Sequence, residues 1–385
     1  MTADAVIYVS SASDTAVAEQ PVAGRPVVFR AVAAAVRAGI TRVFVPAAFQ
    51  HALTPALSSA PRVARAIVWL AAGTPPPASA VLIPATVVIG PSAVAALRAV
   101  SPPAEHEGAL EVGVALVTAG AGDLSPFWTD VIAGAPVGDD VRKLAHHPAA
   151  TSIWDGALVH RVTDAASALE AERRLYATLG SAIDTRFDTA FHRRFSKLVS
   201  RFAVARGLTP NTITIASLVL GLLSAWCFWN TTIAVAIVGL LVYAMAVILD
   251  HADGEVARLT LTESAIGEWL DIAGDTVTHV GVVLALGATS AHVTGRGFQL
   301  GVLAAAGFLL SAAVAKAWPG VAMPDRVGSA LANLGSRDGF YAMLVAFIAA
   351  LAVAPLALPW LMVVVAGGAH AYWVSRLLYR ITRGA

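Results

Sequence analysis

The stretch from Asp250 to Asp275 reads DHADGEVARLTLTESAIGEWLDIAGD and sets four aspartates into otherwise apolar sequence. Asp250 and Asp253 are three residues apart, and Asp271 and Asp275 are four apart. On helices, each pair therefore shares one face. Ionised carboxylates at membrane depth are costly unless they meet water, a cation or one another, so they mark functional sites. Two such pairs on consecutive hydrophobic segments predict a divalent-metal site.

Small residues and one cation lie between the two aspartate pairs. Gly254, Ala257 and Gly267 would let a ligand approach the backbone, and Arg258 supplies a fixed positive charge suited to a phosphate. The full spacing, D-x2-D-G-x2-A-R-x8-G-x3-D-x3-D, resembles the signature of the CDP-alcohol phosphotransferase (CDP-alcohol phosphatidyltransferase) family at every fixed position. Helical spacing and apolar flanks favour this interpretation over four solvated acids in loops beside membrane helices.

The composition indicates an integral membrane protein with a soluble part. Of the 385 residues, 57% are hydrophobic and 13% are charged, and nearly all the long apolar runs lie after residue 208. A formal net charge of +1 gives no support for a nucleic-acid partner. The opening MTADAVIYVSS lacks a basic segment followed by a long apolar core, so we expect no signal peptide and a cytosolic N-terminal half.

The first 160 or so residues predict a Rossmann-like α/β domain. Residues 4–10 suggest a buried strand, a helix starts at about Pro26, and RVFVPA suggests a second strand, as in a crossover unit of a parallel sheet. The order of parts resembles a sugar-phosphate nucleotidyltransferase domain. However, the loop SSASDTAVAEQPVAGRP has one glycine, Gly24, where a phosphate cradle needs several, and VLIPATVVIG offers no metal-binding Asp. We expect a catalytically silent domain, with an active cytidylyltransferase as the alternative.

The chain is predicted to have three parts. Residues 1–163 form the cytosolic nucleotidyltransferase-like domain, 164–207 a linker and juxtamembrane amphipathic helix, and 208–385 a membrane domain of six transmembrane helices. Each span is near the ~20 residues that cross the hydrocarbon core. The six spans cover residues 210–229, 232–250, 264–289, 298–318, 338–357 and 359–379. Basic residues gather with the juxtamembrane helix on one side, and Arg296 lies on the other. The positive-inside rule then predicts cytosolic termini and a multi-pass protein of the plasma membrane.

The juxtamembrane helix is predicted to be basic and amphipathic. Its apolar side includes Phe191, Phe195, Leu198 and Phe202. Its opposite side carries Arg186, Arg193, Arg194, Lys197 and Arg201. Such a helix just before a membrane segment is expected to lie in the anionic interface of the cytoplasmic leaflet. A plain interdomain linker helix is the alternative, and both descriptions can hold.

The family resemblance implies roles for the four acids. Asp250 and Asp271 would bridge two Mg²⁺ or Mn²⁺ ions, and Asp253 would bind one of them. Asp275 would contact the second ion and act as general base on the acceptor hydroxyl. Oxygen-only ligands favour hard cations of this kind. The implied reaction transfers a substituted phosphoryl group from a CDP-alcohol, such as CDP-diacylglycerol, to an acceptor alcohol and releases CMP, in phospholipid or polyol-phosphodiester synthesis.

The resemblance also implies a donor site. Seven residues would line it: Asn211, Thr214, Gly254, Ala257, Arg258, Ser264 and Gly267. Gly254 and Arg258 would hold the cytidine diphosphate, with Ser264 nearby. Asn211 and Thr214 match the N-x-x-T that family members place against the nucleotide.

Three cations near the cytosolic ends of predicted segments four to six are candidates for holding a phosphorylated acceptor such as inositol phosphate. They are Lys316, Arg337 and Arg376. Their positions resemble those of the cations that hold inositol phosphate in phosphatidylinositol-phosphate-type synthases. The alternatives are an Arg337–Asp338 structural ion pair and snorkelling of Lys316 and Arg376. The family resemblance further implies a homodimer through the membrane domain.

Two other functions stay open. One is a bifunctional enzyme whose N-terminal domain also makes the CDP-alcohol from CTP. The other is a cation-binding membrane transporter, because intramembrane acids also mark ion pathways. Arg258 and the glycines argue against a transporter. So does the predicted placement of all four acids near one side of the membrane, since a pathway needs polar groups that reach the far side.

Overall fold

The computed structural model describes residues 4–99, 117–145, 158–180, 191–318 and 336–383. The chain divides into two compact units. The first unit holds Met1–Leu179 and Arg258–Thr262, and the second holds Gly180–Ala257 and Glu263–Ala385. All four aspartates of the predicted metal site belong to the second unit.

The first unit is built on a mixed β-sheet. The strands are β1 Asp4–Tyr8, β2 Pro21–Val22, β3 Arg25–Pro26, β4 Arg42–Pro46, β5 Ile67–Leu70, β6 Ser79–Pro84, β7 Val87–Ile89, β8 Val117–Gly120 and β9 Val159–Arg161. Five of them form one sheet in the order β5-β4-β1-β6-β8. The central strand β1 is buried along its whole length, as the apolar run DAVIY predicts.

The sheet differs from the predicted parallel sheet at one edge. Strands β5, β4, β1 and β6 pair in parallel, whereas β8 runs antiparallel to β6. An antiparallel edge strand on an otherwise parallel sheet is common, and hydrophobic periodicity carries no information on strand direction. Two short antiparallel pairings, β2 with β3 and β7 with β9, lie outside the main sheet.

Nine helices accompany the strands in the described part of the first unit. They are α1 Asp14–Ala18, α2 Val27–Arg37, α3 Gln50–Leu57, α4 Pro61–Ala66, α5 Pro91–Ala99, α6 Ala121–Leu124, α7 Trp128–Ala133, α8 Gly138–Ala145 and α9 Ala165–Ala177. The central one is α2, which starts one residue after Pro26, as predicted, and is buried from Val27 to Val36. It is followed by Gly39, whose φ of 86° suits glycine.

The second unit is helical throughout its described part. The helices are α10 Arg193–Ala205, α11 Pro210–Phe228, α12 Ile233–Thr260, α13 Ala265–Thr294, α14 Phe298–Ala317, α15 Arg337–Val353 and α16 Leu358–Arg383. Three of them begin at a hydroxyl cap, because the side chains of Thr209, Ser264 and Ser336 each accept a backbone N–H from the first turn. The cap at Thr209 with Pro210 in the first turn confirms the predicted start of α11.

Five helices among the described residues of this unit are long and apolar enough to cross a membrane. They are α11, α12, α13, α14 and a segment, Pro355–Thr382, that contains most of α16. The remaining apolar helix, α15, has 17 residues and is shorter than the others. Helix α13 packs against α11 and α14, and α14 packs against α16. Large apolar side chains remain outward-facing on these helices, with Trp226 69% and Trp360 73% exposed, as expected where lipid is the solvent.

Helix α12 extends well past the end predicted for the second span. That span was expected to finish at residue 250, whereas α12 continues to Thr260. The polar run DHADGEVARLT stays helical because neighbouring helices meet its polar side chains, including Asp253 and Glu255. The first acid pair therefore lies inside the helix rather than at its end.

Candidate active site

The four aspartates come together from α12 and α13. Asp250, Asp253 and Asp271 each offer a carboxylate oxygen, and these oxygens lie within 4.8 Å of one another. The carboxyl group of Asp275 is close enough to that of Asp250 for the two to interact electrostatically. The i, i+3 and i, i+4 spacings therefore place both pairs on helix faces that meet.

Two neighbouring side chains fix the acids on α12. Arg337, at the start of α15, forms an ion pair with Asp250 and also contacts the Nε2 atom of His251 at 3.4 Å. The Thr214 hydroxyl on α11 donates to the Asp253 Oδ2 atom at 2.5 Å. Since Asp253 is only 5% exposed, this hydrogen bond offsets part of the cost of its burial.

The acid cluster fits a divalent metal ion. Three oxygen ligands within 4.8 Å of one another can converge on one cation, and oxygen-only ligation suits Mg²⁺ or Mn²⁺. The Arg337 guanidinium brings one positive charge to a group that carries four carboxylates. A bound dication would add the charge that such a partly buried cluster requires.

An aromatic group lies beside the second acid pair. The His279 Nδ1 atom is 2.7 Å from the backbone oxygen of Asp275, and its Nε2 atom is 3.2 Å from the hydroxyl of Tyr243. Because a carbonyl only accepts, Nδ1–H donates to it, and Nε2 shares a hydrogen bond with the Tyr243 hydroxyl. The rings of Phe308 and Phe340 pack on His279 with centroids 5.8 and 4.4 Å away. His279 is thus a satisfied interior histidine that orients the backbone at Asp275.

Three of the predicted donor-site residues lie against one another. Ser264 caps α13 by accepting the Gly267 N–H at 3.0 Å. A Cβ atom on Gly267 would lie 3.2 Å from the Ser264 hydroxyl and 3.6 Å from the amide oxygen of Asn211. A glycine therefore leaves room between two polar side chains. Gly254 and Ala257 are half-buried on α12, where they follow Asp253 on the turns leading to Arg258.

The three candidate acceptor cations have separate partners. Lys316 forms a 2.8 Å ion pair with Glu268, and Arg337 pairs with Asp250. Arg376 donates to the Tyr372 hydroxyl at 3.0 Å and to the backbone oxygen of Trp318 at 3.1 Å.

A buried polar cluster next to the acids was missed by the sequence analysis. Glu255 on α12 is completely buried, and it binds Arg193, which is 8% exposed. The prediction that Arg193 lies on the outward basic side of the juxtamembrane helix is therefore wrong. The signal was present, because Glu255 is a further acid in the same apolar helix and needs a partner. Phe195, Leu198 and Phe202 are exposed, as are Arg194 and Arg201.

In the first unit, two carboxylates bind backbone N–H groups of the loop that the sequence analysis compared with a phosphate cradle. Asp14 accepts the backbone N–H groups of Ser10 and Ser11, each at 3.2 Å, and the Ser11 hydroxyl at 2.6 Å. Glu172 accepts the N–H of Ala23 at 2.9 Å, in a hairpin where Ala23 has a φ of 44° and Gly24 one of 75°. N–H groups that would face a triphosphate in an active loop are thus already bonded to acids.

Comparisons with known proteins agree with the acid motif. Residues 207–367 match the family described as CDP-alcohol phosphatidyltransferase. A curated relative, the "Bifunctional IPC transferase and DIPP synthase" of Thermococcus kodakarensis, is 38% identical over 80 residues. That match covers 21% of this chain and 17% of the relative, so the chain spans less than a fifth of that protein's length.

Proposed function

We propose, from the match of residues 207–367 to the family described as CDP-alcohol phosphatidyltransferase, that this segment is a domain of that family. The protein transfers a substituted phosphoryl group from a CDP-alcohol to an acceptor alcohol and releases CMP. The observation that carries this proposal is the approach of Asp250, Asp253 and Asp271 to within 4.8 Å, in the spacing of the family signature. The same motif lies on apolar helices, which suits a lipid donor such as CDP-diacylglycerol.

Asp250, Asp253, Asp271 and Asp275 would hold the divalent metal, as two Mg²⁺ or Mn²⁺ ions. The bound metal supplies positive charge that neutralises the donor diphosphate and stabilises the leaving phosphate oxygens. The protein's task is to keep the four carboxylates in place. Thr214 does this for Asp253, and Arg337 does it for Asp250.

Asp275 is the proposed general base. The acceptor hydroxyl oxygen forms a bond to the phosphorus that carries the donor alcohol, and the bond from that phosphorus to the CMP oxygen breaks. The hydroxyl proton passes to the Asp275 carboxylate, and CMP leaves with the electron pair. The hydrogen bond from His279 to the Asp275 carbonyl keeps the α13 backbone fixed at this point.

Polar and small residues around the acids would hold the nucleotide. Asn211 and Gly267 lie against each other beside the Ser264 cap, and Gly254, Ala257 and Arg258 follow Asp253 on α12. Thr214 already donates its proton to Asp253, so we assign it to the acid rather than to the cytidine. In this arrangement Arg258 supplies the charge for the diphosphate.

The acceptor would be a phosphorylated polyol such as inositol phosphate. Arg376 supports this, because its Nε atom is buried and makes no hydrogen bond within the described residues. Lys316 lies two residues before Trp318, whose carbonyl Arg376 of α16 binds, so both cations lie near the end of α14. The enzyme would be a homodimer with six spans in the plasma membrane and both termini in the cytosol.

A screen of acceptors tests the reaction. The purified chain in detergent is given CDP-diacylglycerol and Mg²⁺ with glycerol phosphate, inositol phosphate, inositol or serine, and CMP release is measured. We expect turnover with a phosphorylated polyol, loss of activity in EDTA, and loss in Asp275→Asn. Activity that persists in Asp275→Asn would rule out Asp275 as the general base. If no acceptor gives CMP release, CDP-diacylglycerol is not the donor.

A second activity is suggested by the relative's printed name, which calls that protein bifunctional. Under this alternative the first unit would make the CDP-alcohol from CTP. The carboxylate of Asp14 at the loop N–H groups argues against it. The test is pyrophosphate release from CTP and inositol phosphate by the full chain carrying Asp271→Asn, in which the transferase step is blocked. We expect none.

A further inference from the structure

Helix α10 buries three polar side chains, whereas apolar side chains on its other face are exposed together with Arg194 and Arg201. Arg193, Ser196 and Ser200 are buried, with at most 8% exposure. In contrast, Leu198 is 58% exposed and Phe202 54% exposed. Buried polar groups are costly unless they are hydrogen-bonded, so these three side chains need a specific partner within the unit.

The partner of that polar face is Glu255. Its Oε1 atom accepts from Arg193 Nη1 at 3.0 Å and from the Ser196 hydroxyl at 2.8 Å. Its Oε2 atom accepts from the Ser200 hydroxyl at 2.7 Å. Donors spaced three and four residues apart on α10 thus hold both oxygens of one carboxylate. That arrangement fixes the orientation of the Glu255 side chain and leaves neither oxygen without a donor.

Glu255 lies on α12 directly behind the acid site. It follows Asp253 by two residues, and a helix turns about 100° per residue, so the two side chains point to opposite sides. Around it, Ala252 and Val256 pack with Ala203 of α10 and Ile213 of α11. The segment of α12 that carries Asp253 is therefore held on its rear face by α10 and on its front by Thr214.

We propose that Glu255 is a positioning residue that sets the place of Asp253 in the metal site through its bonds to α10. This inference rests on the proposed function, because it assumes that Asp253 binds metal. Stability alone is a weak reason for the arrangement, since apolar residues often replace a buried ion pair without loss of stability. Metal ligands, however, need support from the residues behind them, and losing it weakens metal binding by about 10-fold or more.

Mn²⁺ binding by the full chain in detergent, measured by electron paramagnetic resonance of the free ion, tests the proposal. The first variant is the double substitution Ser196→Ala and Ser200→Ala. The matched control is Ser224→Ala, which removes an equally buried bond from α11 to α12 at Gly239. Gly239 lies 14 residues before Asp253, about 21 Å along the helix. We expect about 10-fold weaker Mn²⁺ binding in the double variant and wild-type binding in the control.

A second variant separates positioning from folding. Replacing both Arg193 and Glu255 by Met removes the ion pair without leaving a buried charge. The thermal stability of the metal-free variant should therefore be close to that of the wild type. We expect Mn²⁺ binding to stay weakened and kcat to fall about 10-fold, with the KM for the acceptor unchanged. The Ser196→Ala and Ser200→Ala variant should show the same split between kcat and KM.

The outcomes distinguish this proposal from the function on which it rests. If the wild type binds Mn²⁺ and both variants bind it equally well, Glu255 has no positioning role and the proposed function is unaffected. An increase in the KM for the acceptor in these variants, with unchanged Mn²⁺ binding, would also show that Glu255 does not position Asp253. If the wild type itself binds no Mn²⁺, the metal site and the proposed function fail together with this inference.

Discussion

The Thr214 hydroxyl on α11 donates a 2.5 Å hydrogen bond to the Asp253 carboxylate on α12. This bond joins two predicted site residues that the sequence analysis assigned to different ligands, Thr214 to the nucleotide and Asp253 to the metal. The start of α11 is itself fixed by the Thr209 cap and Pro210. The orientation of Asp253 is therefore determined by how α11 begins.

Replacing Thr214 by Val is expected to lower activity about 10-fold and to raise the Mg²⁺ concentration needed for half-maximal activity. Valine keeps the shape of threonine but leaves the buried Asp253 without its donor. Thr214→Ser should recover most of the activity. The measurement is CMP release across a Mg²⁺ titration. The control is Ser217→Ala, which removes a bond from the same helix to the backbone at Ala246. Equal Mg²⁺ requirements in Thr214→Val and wild type would contradict the role of the bond.

Asp271→Asn is expected to stabilise the metal-free protein and to abolish stabilisation by Mg²⁺. Without metal, the carboxylates of Asp250, Asp253 and Asp271 repel one another within 4.8 Å, and the substitution removes one of these charges. A ligand present at 100 times its Kd should stabilise the wild type by about 2.7 kcal/mol. Thermal unfolding in detergent, in EDTA and then in excess Mg²⁺, checks both effects. A Mg²⁺-induced shift in Asp271→Asn as large as in wild type would show that metal binds elsewhere.

Arg337→Gln is expected to destabilise the metal-free protein by about 3 kcal/mol, because it leaves the largely buried Asp250 without its ion pair. The Arg337→Lys variant should lose less stability, because lysine keeps the positive charge beside Asp250. Since Arg337 acts through Asp250, kcat should fall by the same factor with inositol phosphate and with inositol, where either serves as acceptor. A rise in KM confined to the phosphorylated acceptor would instead show that Arg337 holds the acceptor phosphate, as its sequence position suggested.

The acid site could be predicted from sequence because its geometry is local. Asp250 and Asp253, and likewise Asp271 and Asp275, lie on one helix each, so their spacing alone sets their shared face. The start of α11 was predictable for the same reason. The extent of α12 to Thr260 was not, because it depends on partners that α10 and α11 supply from elsewhere in the chain.

The orientation of α10 could not be read from its pattern. Helical periodicity separates apolar from polar residues but does not say which of them are buried, and α10 exposes Leu198 and Phe202 together with Arg194 and Arg201. Arg193 was therefore placed outward, although it binds Glu255. The antiparallel direction of β8 likewise could not be predicted from the sequence pattern, because the alternation of side chains along a strand is the same in both directions.

Gly221→Ala is expected to lower both stability and activity, because α11 and α13 cross closely at this point. A Cβ atom on Gly221 would lie 2.3 Å from the Oγ1 atom of Thr278 and 2.6 Å from its methyl carbon. Thr278 is buried and branched at Cβ, so it cannot turn away easily, and overpacking of this kind costs about 1–3 kcal/mol. Thr278 follows Asp275 by three residues on α13, so a shift of the helix displaces the proposed base.

Two companion variants make the Gly221→Ala result specific to this crossing. Adding Thr278→Ala removes the clash and should restore the thermal midpoint and CMP release together. Gly367→Ala on α16 is the matched control, since a Cβ atom there would meet nothing within 4 Å and the exposed helix should gain up to about 1 kcal/mol. If Gly221→Ala unfolds at the wild-type temperature with full activity, α11 and α13 are further apart than described. The placement of Asp275 beside Asp250 would then need revision, because α11 also carries Thr214, the donor to Asp253.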